Sequence, residues 1–218
     1  MRTASTVLGI VLLSGVGCAF HDVPLDMPIS GLATPLKGGN GRQVVVTAPF
    51  GDQRAQPNRC GMQKNGYNMD TANVICRKEP TQWIAQLLAD ELRATGFTVV
   101  EPSAPHRPGA LLVGGTLLQL FVEPLAGSFS VSCEADLQIR LVATSETGLH
   151  AERTFMAKGV WKGFAGIDTP FQDSFKKASD EVLSELVQAI LDLMNRYPQL
   201  GAAPKPLRLA MREAACAR

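Results

Sequence analysis

An excess of charge of either sign is missing from this chain. Its 21 Lys and Arg face 20 Asp and Glu, so no cationic surplus exists to neutralise phosphates, and a nucleic-acid partner is excluded. Histidine is sparse: His21, His106 and His150 stand alone. No Cys-x-x-Cys occurs either, so the ligand spacing of a zinc site is absent and no metal is expected. The glycine run at 38–41 lacks the Gly-Lys-Ser/Thr ending of a phosphate loop, and no strand precedes it. No Gly-x-Ser-x-Gly turn offers a nucleophile, and no histidine sits beside one. No catalytic residue and no cofactor follow from these motifs, and the expectation is a protein that is not an enzyme. Past residue 18 no run approaches the roughly 18 apolar residues of a membrane-spanning helix, so the mature body is expected to be soluble.

What is present begins at the N-terminus. Residues 1–17 carry one positive charge at Arg2, then an apolar run over 7–13 and the small residues Ser14, Gly15 and Gly17. A basic start, a short apolar core and a small-residue exit make a signal peptide. Gly15-Val16-Gly17-Cys18 resembles a bacterial lipobox, in which the cysteine is acylated and becomes the mature N-terminus, although Gly15 stands where leucine is usual. The alternative is ordinary cleavage after Ala19. Several acyl chains on Cys18 would hold the protein to a membrane, where a single chain binds only marginally.

Setting Cys18 aside leaves four cysteines, an even number suited to an oxidising compartment. Cys60 and Cys76 share one polar stretch and are the expected bridge, worth roughly 3 kcal/mol of unfolded-state entropy in the chain-entropy account. Cys133 falls on the apolar side of a predicted strand and is expected to be buried and reduced. Cys216 lies in the tail.

Residues 18–42, with Pro24, Pro28, Pro35 and the glycine run, read as a flexible tether. A single domain is expected over 43–198, and a loose tail over 199–218. Within the domain, 43–50 (QVVVTAPF) reads as a strand. Residues 51–79 read as a long polar loop without periodicity. The stripe Ile84, Leu87, Leu88 and Leu92 predicts a helix over 81–95, with Pro80 in its first turn and Gly96 as its cap. A strand at 97–101 follows, and strand–helix–strand order favours parallel pairing of the first two strands. Strands are predicted over 111–123, 129–144 and 149–162, with a bulge suggested at Gly114-Gly115. In the middle one Val131, Cys133, Ala135, Leu137, Ile139 and Leu141 alternate with Ser132, Glu134, Asp136, Gln138 and Arg140, the pattern of an antiparallel sheet with one covered face. Thr169-Pro170-Phe171-Gln172 reads as a capping box, opening a helix with its stripe at Phe171, Phe175, Ala178, Val182, Leu186, Ala189, Ile190 and Leu193, stopped by Pro198. The fold class expected is α+β: a two-layer sandwich, its mixed, mostly antiparallel sheet of about five strands covered on one face by two helices.

The loop supplies the candidate binding residues. Asp52 and Arg54 follow the first strand, and Arg59, Tyr67, Met62 and Met69 come from the same stretch. Arginine grips carboxylate or phosphate at two points, and a bridged loop would lose less freedom on binding than an open one. An envelope protein or glycan is the expected partner, with Arg54 and Arg59 as anchors. A periplasmic hydrolase using Asp52 or Asp70 is the alternative.

The lipobox, the strand ending near Asp52 and Arg54, the run Leu87-Leu88-Ala89-Asp90-Glu91-Leu92 closing at Gly96-Phe97, and the later meander and long helix together resemble the YajG-like lipoproteins. More distantly they resemble the ABC-transporter auxiliary lipoproteins of Gram-negative envelopes. The resemblance spans about 44–195. It implies an outer-membrane lipoprotein without catalytic activity, facing the periplasm and acting as an accessory or assembly component. Ala19 fits that sorting, since aspartate after the cysteine would favour retention in the inner membrane. Metabolic labelling with a fatty-acid probe is expected to mark the protein, and Cys18→Ser to abolish the label. An unlabelled product starting at Phe20 would mean cleavage after Ala19 instead.

Overall fold

Alternation of apolar and polar residues over Val131–Thr144 produces one of the long strands of this molecule. In the computed structural model, which describes residues 21–28, 31–106, 108–126, 130–163 and 170–202, that strand buries Cys133, Ala135, Leu137, Ile139 and Leu141. Its other face stays half-buried. Eleven elements are present in chain order: β1 Val23–Leu25, β2 Gln43–Val46, β3 Gly51–Asp52, β4 Gly61–Lys64, β5 Asp70–Cys76, α1 Pro80–Thr95, β6 Thr98–Val100, β7 Leu111–Ala126, β8 Val131–Thr144, β9 His150–Gly163 and α2 Pro170–Arg196. The strands form one open mixed sheet of nine, so the α+β class holds and the sheet is larger than about five. The signal segment 1–17 with Cys18, Thr169, and the tail beyond 202 with Cys216 lie outside the described residues.

β7, β8 and β9 make the antiparallel meander. The other edge of β7 carries three short strands in succession, all parallel to it: β2 against Leu111–Val113, β3 against Thr116 and Leu117, and β4 at Val122. β6 is parallel to the outer edge of β2, as the strand–helix–strand order implied. β5 pairs antiparallel with β4, and β1 lies parallel to β5 at the far side.

Both helices lie on the apolar face and meet where the rings of Trp83 and Phe175 approach to 5.3 Å. α1 starts as the sequence indicated, with Pro80 in its first turn. Its cap is Glu79, whose carboxylate accepts from the Thr81 and Gln82 backbone amides at 3.1 and 2.6 Å. It ends at Gly96, which takes the left-handed conformation (φ 98°) a C-terminal cap requires. α2 buries the anticipated stripe, Ala189 and Leu193 only in part. The capping box read at 169–172 depends on Thr169, outside the described residues; the Gln172 side-chain amide lies against the backbone of Asp26, donating to the carbonyl at 2.8 Å and accepting from the N–H at 2.7 Å.

Four sequence expectations need correcting. The stretch 51–79 is not an unstructured loop; it contains β3 and the β4–β5 hairpin, whose strands are short and carry polar residues at their exposed positions. The segment 18–42 is not a free tether where it is described. β1 joins the sheet, Leu25 and Met27 are buried, Trp83 Nε1 donates to Pro28 O (2.6 Å), and the Leu32 amide donates to the buried Glu91 carboxylate (3.0 Å). The tail also begins inside the fold. Leu200 is buried, Gly201 N donates to Gly109 O (2.8 Å) and Gln43 N donates to Gly201 O (2.9 Å). Finally, the irregularity in β7 falls between Leu117 and Gln119 rather than at Gly114-Gly115. Gly115 has a different reason: a Cβ there would meet the Phe50 ring at 2.4 Å.

Sheet and helix approach closely at Gly159 in β9, where a Cβ would lie 1.8 Å from Ser174 O and 2.7 Å from Ala178 N of α2. Backbone cannot yield as a side-chain tip can, so Gly159→Ala should lift α2 from the sheet. Overpacking of this kind costs about 1–3 kcal/mol, and at about 2–4 °C per kcal/mol for a domain of this size calorimetry should show a thermal midpoint lower by several degrees. Gly114→Ala, whose Cβ would meet nothing within 4 Å, should leave the midpoint in place.

Candidate functional site

The binding residues anticipated over 51–79 separate into two groups once the chain is folded. Asp52, Arg54 and Arg59 belong to the bend that carries the chain from β3 to β4 along β7. Tyr67 and Met69 belong to the tip of the β4–β5 hairpin.

Arg54 is turned inward, its side chain 4% exposed. Nε and Nη2 grip the Asp52 carboxylate at 3.0 and 2.8 Å, while Nη2 and Nη1 also donate to Pro57 O (2.8 Å) and Arg59 O (3.3 Å). A planar donor array of this shape suits several acceptors at once, and here the acceptors are the bend's own. Arg54 is therefore a brace for the backbone, which corrects the expectation that it anchors a partner. Sequence reasoning saw a guanidinium beside a carboxylate and could not see the two carbonyls that complete its coordination.

Arg59 is half-buried. It donates to Asn73 Oδ1 at 3.2 Å and lies over the Phe121 ring, 5.8 Å from its centre. Phe121, opposite Asp136 in β7–β8 pairing, puts an aromatic on the polar face that the β8 pattern alone had not revealed. That face is knitted by ion pairs: Lys158 with Glu134 (2.9 Å) and Asp136 (3.3 Å), Arg140 with Glu152 (3.7 Å), and Lys64 with Glu123.

The hairpin projects beyond this network. Cys60 and Cys76 form a disulfide across its base, with Cα atoms 5.6 Å apart. Its turn is held by Asn65, whose side-chain oxygen accepts from the Tyr67 and Met69 amides at 2.9 and 3.1 Å, with Asn68 at φ 59°. An asparagine both caps such a turn and tolerates the left-handed conformation. The outcome is that Tyr67 and Met69 stand 85% and 57% exposed, large apolar side chains presented on a braced support. Met62 is buried instead.

The electrostatics of the carboxylates follow from these contacts. The Arg54 guanidinium, against the mild opposition of burial, holds Asp52 below the ordinary carboxylate range. Burial pushes Glu79 upward and the nearby Asp52 charge adds to that push, yet hydrogen bonds from Thr81 and Gln82 outweigh both, and its net shift is also downward. Asp90 accepts from Arg93 (2.6 Å) and Gln86 (3.0 Å) beside an apolar groove of about 520 Å³ between Pro28 and α1. Asp52 and Glu79, held ionised, are poor proton donors at neutral pH. Elsewhere, burial among apolar neighbours raises the Cys133 thiol to about 11, with Ser174 Oγ 3.3 Å from its sulfur, so it is an unreactive thiol. Among the described residues no three His, Cys, Asp or Glu side chains gather as a metal site would need, and no helix is long and apolar enough to cross a membrane.

Two outcomes check this assignment. Arg54→Ala removes the donor from two backbone carbonyls and a carboxylate, so it should lower stability by roughly 1–3 kcal/mol in urea unfolding. Asp52 has a folded pKa below its unfolded value of about 3.9. Its contribution is therefore complete above that value and is lost as pH falls through the lower, folded one. Urea midpoints measured downward from pH 5 should fall, and Asp52→Asn should flatten the part of that fall due to this pair.

Comparison with known proteins adds the following. A family described as "uncharacterized lipoprotein" matches residues 38–192. A crystal structure of a Xanthomonas campestris protein described as DUF330 is similar with 14% identity and a TM-score of 0.49, covering 83% of this chain and 98% of that one. A minor lipoprotein of Acinetobacter baumannii is similar with 16% identity and a TM-score of 0.33, covering 56% of this chain and 87% of that one. No curated protein matches. The family match extends from the glycine run before β2 to the last turns of α2, taking in β2 to β9 and most of the core, and this chain belongs to that family of lipoproteins.

Proposed function

We propose that the protein is a non-enzymatic lipoprotein of the bacterial outer membrane, anchored through acylated Cys18 and facing the periplasm, where it serves as an accessory or binding component as the resemblance to YajG-like lipoproteins implies. The observation carrying the binding role is the hairpin tip, on which Tyr67 and Met69 are held out from a disulfide-closed base. Interfaces draw their energy from a few such anchors, tyrosine prominent among them. A support already ordered lowers the conformational cost of engagement. The partner is an envelope protein or glycan that stacks or packs on an aromatic. With Arg54 committed to its own bend, Arg59 contributes at most the exposed part of its guanidinium.

The absence of an enzymatic role is likewise part of the proposal. What supports it is the state of the loop carboxylates. Asp52 is clamped by Arg54 and Asp70 is exposed on β5, so neither is set up as the proton-sharing pair a carboxylate hydrolase uses.

Photo-reactive residues introduced one at a time test the reading in cells. Substitution at Tyr67 and Met69 should give discrete adducts, and substitution at Ser132, Gln138 and Arg140 should give none with the same partner. Tyr67→Ala should reduce capture at position 69 by about an order of magnitude, as loss of a hot-spot aromatic would. Adducts confined to positions 132–140 would overturn the proposal.

A further inference from the structure

Among the described residues β9 has a neighbouring strand on one side only. Over all fourteen residues it pairs with β8 without a register shift, and no described strand lies on its other edge. Natural edges of this length are usually interrupted by a proline, a bulge or a covering segment. His150–Gly163 contains no proline, and its pairing shows no bulge.

Ser145 N donates to Leu149 O (3.1 Å), which makes 145 and 149 a bonded pair at the hairpin end. In an antiparallel ladder bonded and non-bonded pairs alternate, so the odd-numbered residues of β9 bond to β8 and the even-numbered ones face outward. An independent contact agrees: Lys177 of α2 reaches round to Val160 O at 2.9 Å. That lysine also closes the edge at Val160, and the outward groups of residues 152, 154, 156 and 158 are open among the described residues.

We propose that this edge pairs with the same edge of a second copy of the chain, antiparallel about a two-fold axis at Phe155. Charge selects the register. Centring on residue 152 would set Glu152 against its own copy, and centring on 158 would do the same with Lys158. Centring on 157 would bring Glu152 to Lys162 but would need the blocked carbonyl of Val160. Centring on Phe155 sets Glu152 opposite Lys158 twice and Thr154 opposite Met156 twice, and uses only the open groups. Both charged residues have surface to spare: Glu152 is 47% and Lys158 53% exposed beyond their bonds to Arg140 and to Glu134 and Asp136. Met156, 64% exposed on the polar face, is covered next to the axis. On the other face Arg153 meets Ala157 and Ala151 meets Gly159, a large or medium group against a small one. A groove of about 260 Å³ beside the edge, walled by Ala189 and Leu193 of α2 and by Ala151 and Phe155 of β9, flanks the seam. A lysine on an edge ordinarily repels a neighbour strand; in this register it attracts one.

The test uses the full-length chain in density-matched detergent, followed by sedimentation equilibrium. The wild type should be a dimer, and Glu152→Lys and Lys158→Glu should each weaken association by about tenfold or more. An equimolar mixture of the two variants should recover it, because both cross-strand pairs become opposite in sign again. Met156→Pro removes only an outward N–H, a loss an edge strand tolerates, and should give a monomer with a nearly unchanged thermal midpoint. In a Cys216→Ser background, Met156→Cys should cross-link chain to chain with a short bismaleimide, since the two positions lie about 8 Å apart in this register. A monomeric wild type, a Met156→Pro variant that still dimerises, or Met156→Cys adducts with some other protein and none between copies would each overturn the proposal.

Discussion

Four strands of this sheet, β2, β3, β4 and β8, pair directly with β7, and the others are built outward from β2, β4 and β8. One edge of β7 is taken up by β8 along nearly the whole length, and its other edge is shared out to β2, β3 and β4 in turn. Backbone N–H and C=O groups on a buried strand must find partners, so the chain between Gln43 and Lys64 is obliged to return to β7 three times. Between those returns it bulges outward. One bulge carries Phe50 back over Gly115, and the other is the bend filled by Arg54. The disulfide-closed hairpin, the clamp on Asp52 and the exposed tip at Tyr67 are all consequences of how that second edge is divided.

The long regular elements were legible because their signal is repeated. β8 alternates for fourteen residues, α1 and α2 carry apolar stripes several turns long, and Gly96 sits at the one position where a left-handed residue ends a helix. β2 was readable for half its predicted length: Gln43–Val46 pairs within the sheet, Thr47 N still donates to Val113 O (2.8 Å), and beyond it the chain turns to bring Phe50 over Gly115. The short strands β1, β3, β4 and β5 were not legible. Two to four residues in β1, β3 and β4 do not establish a period, the seven of β5 mix polar and apolar positions without a clean one, and β1, β3 and β4 each pair with an edge distant in sequence. Gly61 shows the point. In sequence it is one more glycine in a polar stretch, but a Cβ there would lie 2.1 Å from Val122 O.

For the candidate site, residue type was readable and direction was not. Cys60 and Cys76 were paired correctly because the separation was short and the alternatives few. Arg54 was misread because burial of a guanidinium depends on carbonyls supplied by Pro57 and Arg59, and no sequence pattern reports where a carbonyl points. Tyr67 and Met69 were named with the rest, but what distinguishes them is the Asn65-capped turn that leaves them outside. Phe121 was overlooked on the polar face because the β7 sequence interleaves apolar residues on both sides, and only β8 announces which side is which.

The docking of β1 alters the mechanics of anchorage. A chain free from residue 18 to residue 42 could let the domain roam roughly 80 Å from a bilayer at full extension, at about 3.3–3.6 Å per residue. With Val23–Leu25 stitched to Val74–Cys76, only five residues of chain length separate Cys18 from the folded body, a reach of at most about 18 Å by the same measure. A lipid on Cys18 would then act as a short mooring that holds the β1–β5 corner against the headgroups. Whatever this lipoprotein meets, it would meet at a nearly constant height, with its disulfide-closed hairpin among the parts nearest the membrane.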